Sequence, residues 1–251
     1  MIFLITNDDG IGATGLDALC RALPGANRTV VVAPAAAVSE CGHRVTTKDP
    51  LRVDRLGADR FAVHGTPADC VRIAVRALLE RPPDAVLSGI NEGGNLGADI
   101  YISGTVAAAR EAAFLGLPSM AVSHYRKHGL SIDWEWACRQ TATVIAQFLA
   151  APPVPGEYWN VNLPHLDPSD DPEPAGIRFC PPCTRPLPVG YCQNADGHYA
   201  YSGVYSARDR IPGSDVDHCF SGHISISRLR LEHHWPTAET ASAPRPSDDC
   251  A

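Results

Sequence analysis

Short, largely apolar runs followed by stretches with helical spacing recur through the first half of this chain, and this pattern most constrains its fold. Residues 2–6, 29–33, 84–87 and 118–122 read as strands buried on both faces. Between them, segment 15–23 carries Leu16, Leu19, Cys20 and Leu23 at helical offsets and stops at Pro24-Gly25. Segment 67–80 does the same with Cys70, Val71, Ala74 and Leu78, with Thr66 as N-cap and Pro67 in the first helical position. Segment 105–115 is a further patterned helix. Repeated βα units of this kind specify an α/β class with a mostly parallel sheet covered on both faces.

Later segments are less regular. Residues 43–53 and 60–63 alternate like hairpin strands and suggest a small antiparallel extension. A helix is expected over 133–149, a proline-rich break at 152–155 and a strand at 159–163. Residues 167–174, DPSDDPEP, read as an exposed acidic loop. Residues 176–230 read as a β-rich appendage, and the apolar-poor tail reads as disordered. The expected organisation is therefore a core over 1–150, a core-completing strand and appendage over 151–235, and a tail over 236–251.

With 251 residues the chain can bury a substantial core, and 21 basic against 28 acidic residues give a net charge of −7. That balance argues against non-specific binding to nucleic acid or to an anionic membrane surface. No run of about 18 uncharged apolar residues exists to cross a membrane. The N-terminal apolar stretch is short, lacks a basic start and runs into Asp8 and Asp9, so it is no signal peptide. A cytoplasmic protein is expected, whose nine cysteines stay reduced. Cys180 and Cys183, with Cys192 and His198 downstream, have residue types that hold zinc, but a single CxxC favours plain thiols.

In a parallel sheet, ligands bind beyond the carboxyl ends of the strands. Two polar loops fall there, at residues 7–10 and 88–97. Neighbouring carboxylates converge only where a strand breaks into a turn, and Gly10 and Gly12 supply the break after Asp8 and Asp9. Two hard oxygen ligands suit Mg²⁺ or Mn²⁺; alternatively, Asn7 or Asp9 caps the following helix. The second loop has Gly89, Gly93, Gly94 and Gly97, then Ser103-Gly104-Thr105 opening an apolar helix, a combination suited to an anion. It matches neither a P-loop nor a dinucleotide fingerprint. Ser39 and Asn91 are neutral oxygen donors on loops after the second and third strands, and either could equally be a turn residue. His43 and His64 lie near by topology and read as hydrogen-bonded structural residues before catalytic ones. Tyr101 and the aromatics of 199–205 read as packing before base stacking.

Taken in order, NDDG, AP with a serine-containing loop and GH, GTPADCVRIA, PDAVLSGIN, GGNLG and YISGTVAAAREA resemble the SurE family of stationary-phase survival proteins. The resemblance is dense over residues 1–125 and continues through 160–164, 213–215 and 222–225. It implies a Rossmann-like three-layer core with a C-terminal β-rich extension that mediates dimerisation, giving a homodimer or a dimer of dimers. It implies a metal-dependent 5'-nucleotidase, with 3'-nucleotidase and exopolyphosphatase activity in some members. One divalent cation per subunit would be held by Asp8, Asp9, Ser39 and Asn91. Asn95 and the Ser103-Gly104-Thr105 helix start would contact phosphate, and Asp8 would have the direct catalytic role. Two segments depart from the family pattern: Glu40 follows Ser39 where a small residue is usual, and Thr184-Arg185-Pro186-Leu187 follows Cys-Pro-Pro-Cys. These departures keep a second reading in view, a non-catalytic nucleotide or phosphometabolite sensor on the same fold.

Overall fold

The architecture comes from a computed structural model, which describes residues 1–166 and 176–231. The expected loop at 167–174 and the tail over 236–251 lie outside those residues. Nine strands form one sheet in the order β3-β4-β2-β1-β5-β6-β7-β11-β8, and β9 with β10 form a separate two-stranded ribbon. The strands are β1 (Ile2–Thr6), β2 (Arg28–Pro34), β3 (Val53–Arg55), β4 (Arg60–Val63), β5 (Ala85–Glu92), β6 (Ser119–His124), β7 (Glu157–Leu163), β8 (Ile177–Phe179), β9 (Tyr191–Gln193), β10 (Tyr199–Tyr201) and β11 (Ile224–Arg230). From β4 to β7 all neighbours run parallel. The edge strand β3 is antiparallel to β4, and β11 is antiparallel to β7.

Strand alternation divides the core. On one face Phe3 and Ile5 meet Leu16 and Leu19 of α1 (Thr14–Arg21) and Trp136, Val144 and Phe148 of α4 (Trp134–Ala150). On the other, Ile2 and Leu4 meet Cys70 and Val71 of α2 (Pro67–Ile73) and Ala108 and Ala112 of α3 (Gly104–Phe114). The result is the expected three-layer α/β core. Thr66 caps α2 as its position suggested: its side chain accepts from the Asp69 N–H, and Asp69 returns a bond to the Thr66 N–H.

Several boundaries differ from expectation. The helix expected over 67–80 is α-helical only to Ile73, continues as a π-helical turn over Ala74–Leu78, and then stops. Residues 43–52 form no strand; only β3 pairs with β4, and β4 joins the main sheet beside β2. There Thr46 is tied to Asp69 through both its N–H and its hydroxyl, each at 2.8 Å. Long-range bonds of that kind leave no periodic signal. In the C-terminal part, β11 and β8 extend the main sheet, and only β9–β10 stand apart from it.

His124, at the end of β6, is buried between Trp136 and His165, and its Nδ1 lies 2.7 Å from the Tyr125 carbonyl. Burial pushes its pKa down to about 4, against hydrogen bonding that raises it. The unfolded chain therefore takes up this proton before the folded one, and His124 makes stability fall as pH drops from about 6.5 towards 4. Urea melts across that range should show His124→Asn losing a smaller part of its stability than the unaltered protein, by up to roughly 3 kcal/mol at pH 4.

Candidate active site

β1 ends at Thr6, and the chain turns at once. The Asn7 side-chain N–H donates to the Gly10 carbonyl at 2.9 Å, and its Oδ1 accepts from the Gly10 N–H at 3.2 Å. Gly10 has φ +97°, and a side chain there would press on the backbone of Ala36 and Ala37 at 3.1 Å. Neither Asn7 nor Asp9 caps α1: its N-cap is Ala13, with no side-chain bond. Asn7 pins the turn, and the two carboxylates after it are left for another purpose.

Asp8 is buried, and its Oδ1 accepts from the Thr105 hydroxyl at 2.5 Å. The Val38 N–H donates to the Asp8 carbonyl at 2.8 Å, which anchors the loop carrying Ser39. Gly104 sits so close that a Cβ there would lie 2.9 Å from both the Asp8 Cβ and the Cys41 Sγ. Asp9 is half-buried and accepts from the Glu92 N–H at 3.2 Å. Burial, reinforced by the charge of Asp9 and opposed by the Thr105 bond, pushes the Asp8 carboxyl up to about 6. Burial also raises Asp9, against the Glu92 N–H.

Asn91 was expected on a loop but belongs to β5. That strand shifts register against β6 between Ser88 and Asn91 and then pairs Asn91 with Ser123 and Glu92 with His124. The Asn91 Nδ2 donates to the Gly93 carbonyl at 2.8 Å, which leaves Oδ1 as its other polar atom. The glycine loop is shorter than expected, because residues Gly97–Tyr101 form a 3₁₀ turn ahead of α3. Ser103 caps α3, its Oγ accepting from the Val106 N–H at 3.0 Å. Asn95 is fixed from several sides: its Nδ2 donates to Ser123 Oγ at 2.7 Å, its N–H donates to Asn162 Oδ1, and its carbonyl accepts from the Asn160 and Asn162 amides.

One cavity of about 550 Å³ gathers Asp8, Asp9, Ser39, Asn91, Asn95 and Ser103. Gly104 and Thr105 back it through their contacts with Asp8. Its lining also holds Glu40, Glu92 and Asp99, and no lysine or arginine among the described residues. An anion would meet net repulsion there unless a cation came first. Two carboxylates, an amide oxygen and a hydroxyl form an all-oxygen donor set, which fits a hard divalent ion. Among the described residues no three His, Cys, Asp or Glu side chains form a metal cluster. A metal at this cavity would therefore rely on Ser39 and Asn91 beside the two carboxylates.

A family model described as "Survival protein SurE" matches residues 3–187. The chain belongs to the SurE family. A protein of Nostoc sp. is 51% identical over 232 residues, covering 92% of this chain and all of its own length. "5'-nucleotidase SurE" of Moorella thermoacetica is 38% identical over 248 residues, covering 92% of this chain and 91% of its own. The crystal structure of the SurE protein from Aquifex aeolicus superposes with a TM-score of 0.81 at 35% identity, covering 92% of this chain and 94% of that one.

Other residues of interest behave as packing or buttress. His43 lies 2.8 Å from Glu111, and His64 lies 2.8 Å from Asp54; neither lines the cavity. Cys183 is buried, Cys192 is exposed, and all eight described cysteines are free. A larger cavity of about 850 Å³, lined by Tyr101, Phe114, Tyr158 and Leu229, holds none of the expected site residues. Sequence reasoning missed the support behind the site. The Tyr205 hydroxyl donates to Asp99 Oδ2 at 2.5 Å, and Arg208, itself buried, donates to the same oxygen at 2.8 Å. Asp215 accepts from the N–H groups of Gly97 and Cys183, each at 2.7 Å. The signals for these were the aromatic residues of 199–205, read as packing, and the 213–215 stretch of the family resemblance.

Gly104→Ala should overpack the Asp8 side of the cavity and destabilise the protein by about 1–3 kcal/mol in denaturant melts. Arg208→Leu should cost about 3–5 kcal/mol in the same measurement, because it strands the buried Asp99 carboxylate.

Proposed function

We propose that this SurE-family chain is a metal-dependent 5'-nucleotidase, which hydrolyses nucleoside 5'-monophosphates to nucleoside and phosphate. The observation that carries the reading is the cavity whose charged lining residues are all acidic, in which four oxygen donors stand beside a helix start. The name of the Moorella relative gives the same activity, and it does not favour the non-catalytic sensor. Asp8, Asp9, Ser39 and Asn91 would hold one Mg²⁺ or Mn²⁺ ion. When bound, that ion supplies the positive charge that the lining lacks and polarises a phosphate oxygen.

The chain's own residues do the rest. The positive end of α3, which starts at Gly104 directly behind Asp8, would favour the charge that develops on phosphate oxygens. Asn95 offers an amide whose position is fixed by Ser123 and Asn162. Asp8 is the proton acceptor or the nucleophile; its fixed bond to Thr105 suits a group that must hold a defined position. Water and substrate then exchange one P–O bond for another, and the nucleoside hydroxyl leaves with a proton.

The reading extends to a homodimer or dimer of dimers, supported by exposed Tyr101, Phe114, Tyr191 and Tyr199. It includes a cytoplasmic location, in keeping with free thiols throughout the described residues. Among those residues no helix is long and apolar enough to cross a membrane.

Phosphate release from a panel of nucleoside monophosphates tests the activity. Release is expected with Mg²⁺ or Mn²⁺, lost with EDTA and restored by added metal. Asp8→Asn should lower kcat by at least about a thousandfold while circular dichroism shows the fold retained. Near-normal turnover by that variant with metal supplied would refute the role of Asp8.

A further inference from the structure

The cavity that the proposed nucleotidase activity uses has an uneven charge balance. Five carboxylates line it: Asp8, Asp9, Glu40, Glu92 and Asp99. Two of them are matched by protein cations, since Arg126 lies 2.5 Å from Glu92 and Arg208 lies 2.8 Å from Asp99. A divalent ion would balance Asp8 and Asp9. Glu40 remains, an exposed residue of the lining with no hydrogen bond or ion pair among the described residues. It follows Ser39 directly and holds φ +55°, a left-handed backbone that glycine adopts more readily.

We propose that Glu40 is a specificity-determining residue, a charge filter that admits phosphate monoesters and disfavours nucleoside di- and triphosphates and inorganic polyphosphate. This rests on the nucleotidase reading of the cavity. A monoester brings about two negative charges, which the metal and the α3 start take up. Each further phosphate adds roughly one more and projects it towards the rim, because the reacting phosphate occupies the floor. A cavity of this size is about 10 Å across, close to one Debye length at physiological salt, so an uncompensated rim carboxylate acts on those extra charges. The repulsion grows with the number of outer phosphates and leaves the monoester least affected.

Calorimetric titration of the full chain at pH 8, with free Mg²⁺ buffered at a fixed level, compares orthophosphate with tripolyphosphate. Glu40→Gln keeps side-chain shape and backbone preference and removes only the charge. At low salt it should tighten tripolyphosphate about fivefold more than orthophosphate, and Glu40→Lys should widen that difference. In 0.5 M NaCl the difference should shrink to less than about twofold. Equal effects of Glu40→Gln on both anions, or a difference indifferent to salt, would overturn the filter. Failure of orthophosphate to bind the metal-loaded protein at all would overturn the nucleotidase reading, and the filter with it.

Discussion

Placing Asp8 out of water at the end of β1 is the constraint around which the rest of the site is arranged. A buried carboxylate needs donors or a counter-charge. The Thr105 hydroxyl supplies one donor, the absence of a side chain at Gly104 lets α3 approach, and the Asn7–Gly10 turn directs the chain away before a second strand residue intervenes. What these contacts do not supply is positive charge. The carboxyl accordingly sits well above the ordinary aspartate range, with Asp9 adding to the repulsion. Folding has concentrated negative potential at the point where a parallel sheet presents its ligand rim, and a divalent ion is the simplest species that relieves it.

The surrounding structure keeps that concentration local. Asp99 lines the same cavity, but Arg208 engages it from outside the lining and Tyr205 from within it, while Asp215 fixes the neighbouring backbone at Gly97 and Cys183. The C-terminal third of the chain thus acts on the site without offering its own expected site residues. It holds the 3₁₀ turn before α3, and that turn sets where the helix start points. Asn160 and Asn162 of β7 do the same for Asn95 from the far side.

Much of this was legible from residue order. Largely apolar runs announced a sheet covered on both faces, and the Thr66-Pro67 pair announced the start of α2. Asp8, Asp9, Asn95 and Ser103 could be placed on one rim because the carboxyl ends of parallel strands share an edge. The strand character of Asn91 was not legible. Its segment is rich in glycine and asparagine, residues that favour turns, and only pairing with Ser123 across a register shift extends β5 that far. The fate of residues 43–52 was hidden for a related reason: the bonds from Thr46 to Asp69 span distant segments and compete successfully with local alternation. The buttress of Tyr205, Arg208 and Asp215 was hidden as well, because buried ion pairs between segments a hundred residues apart have no periodicity to read.

The central claim is that phosphate can enter this cavity only after a divalent cation has neutralised Asp8 and Asp9. Equilibrium binding of orthophosphate to the chain, first stripped with EDTA and then titrated with Mn²⁺, tests it directly. Orthophosphate should fail to bind the stripped protein and should bind once about one Mn²⁺ per chain is taken up. Equal orthophosphate affinity with and without the metal would contradict it.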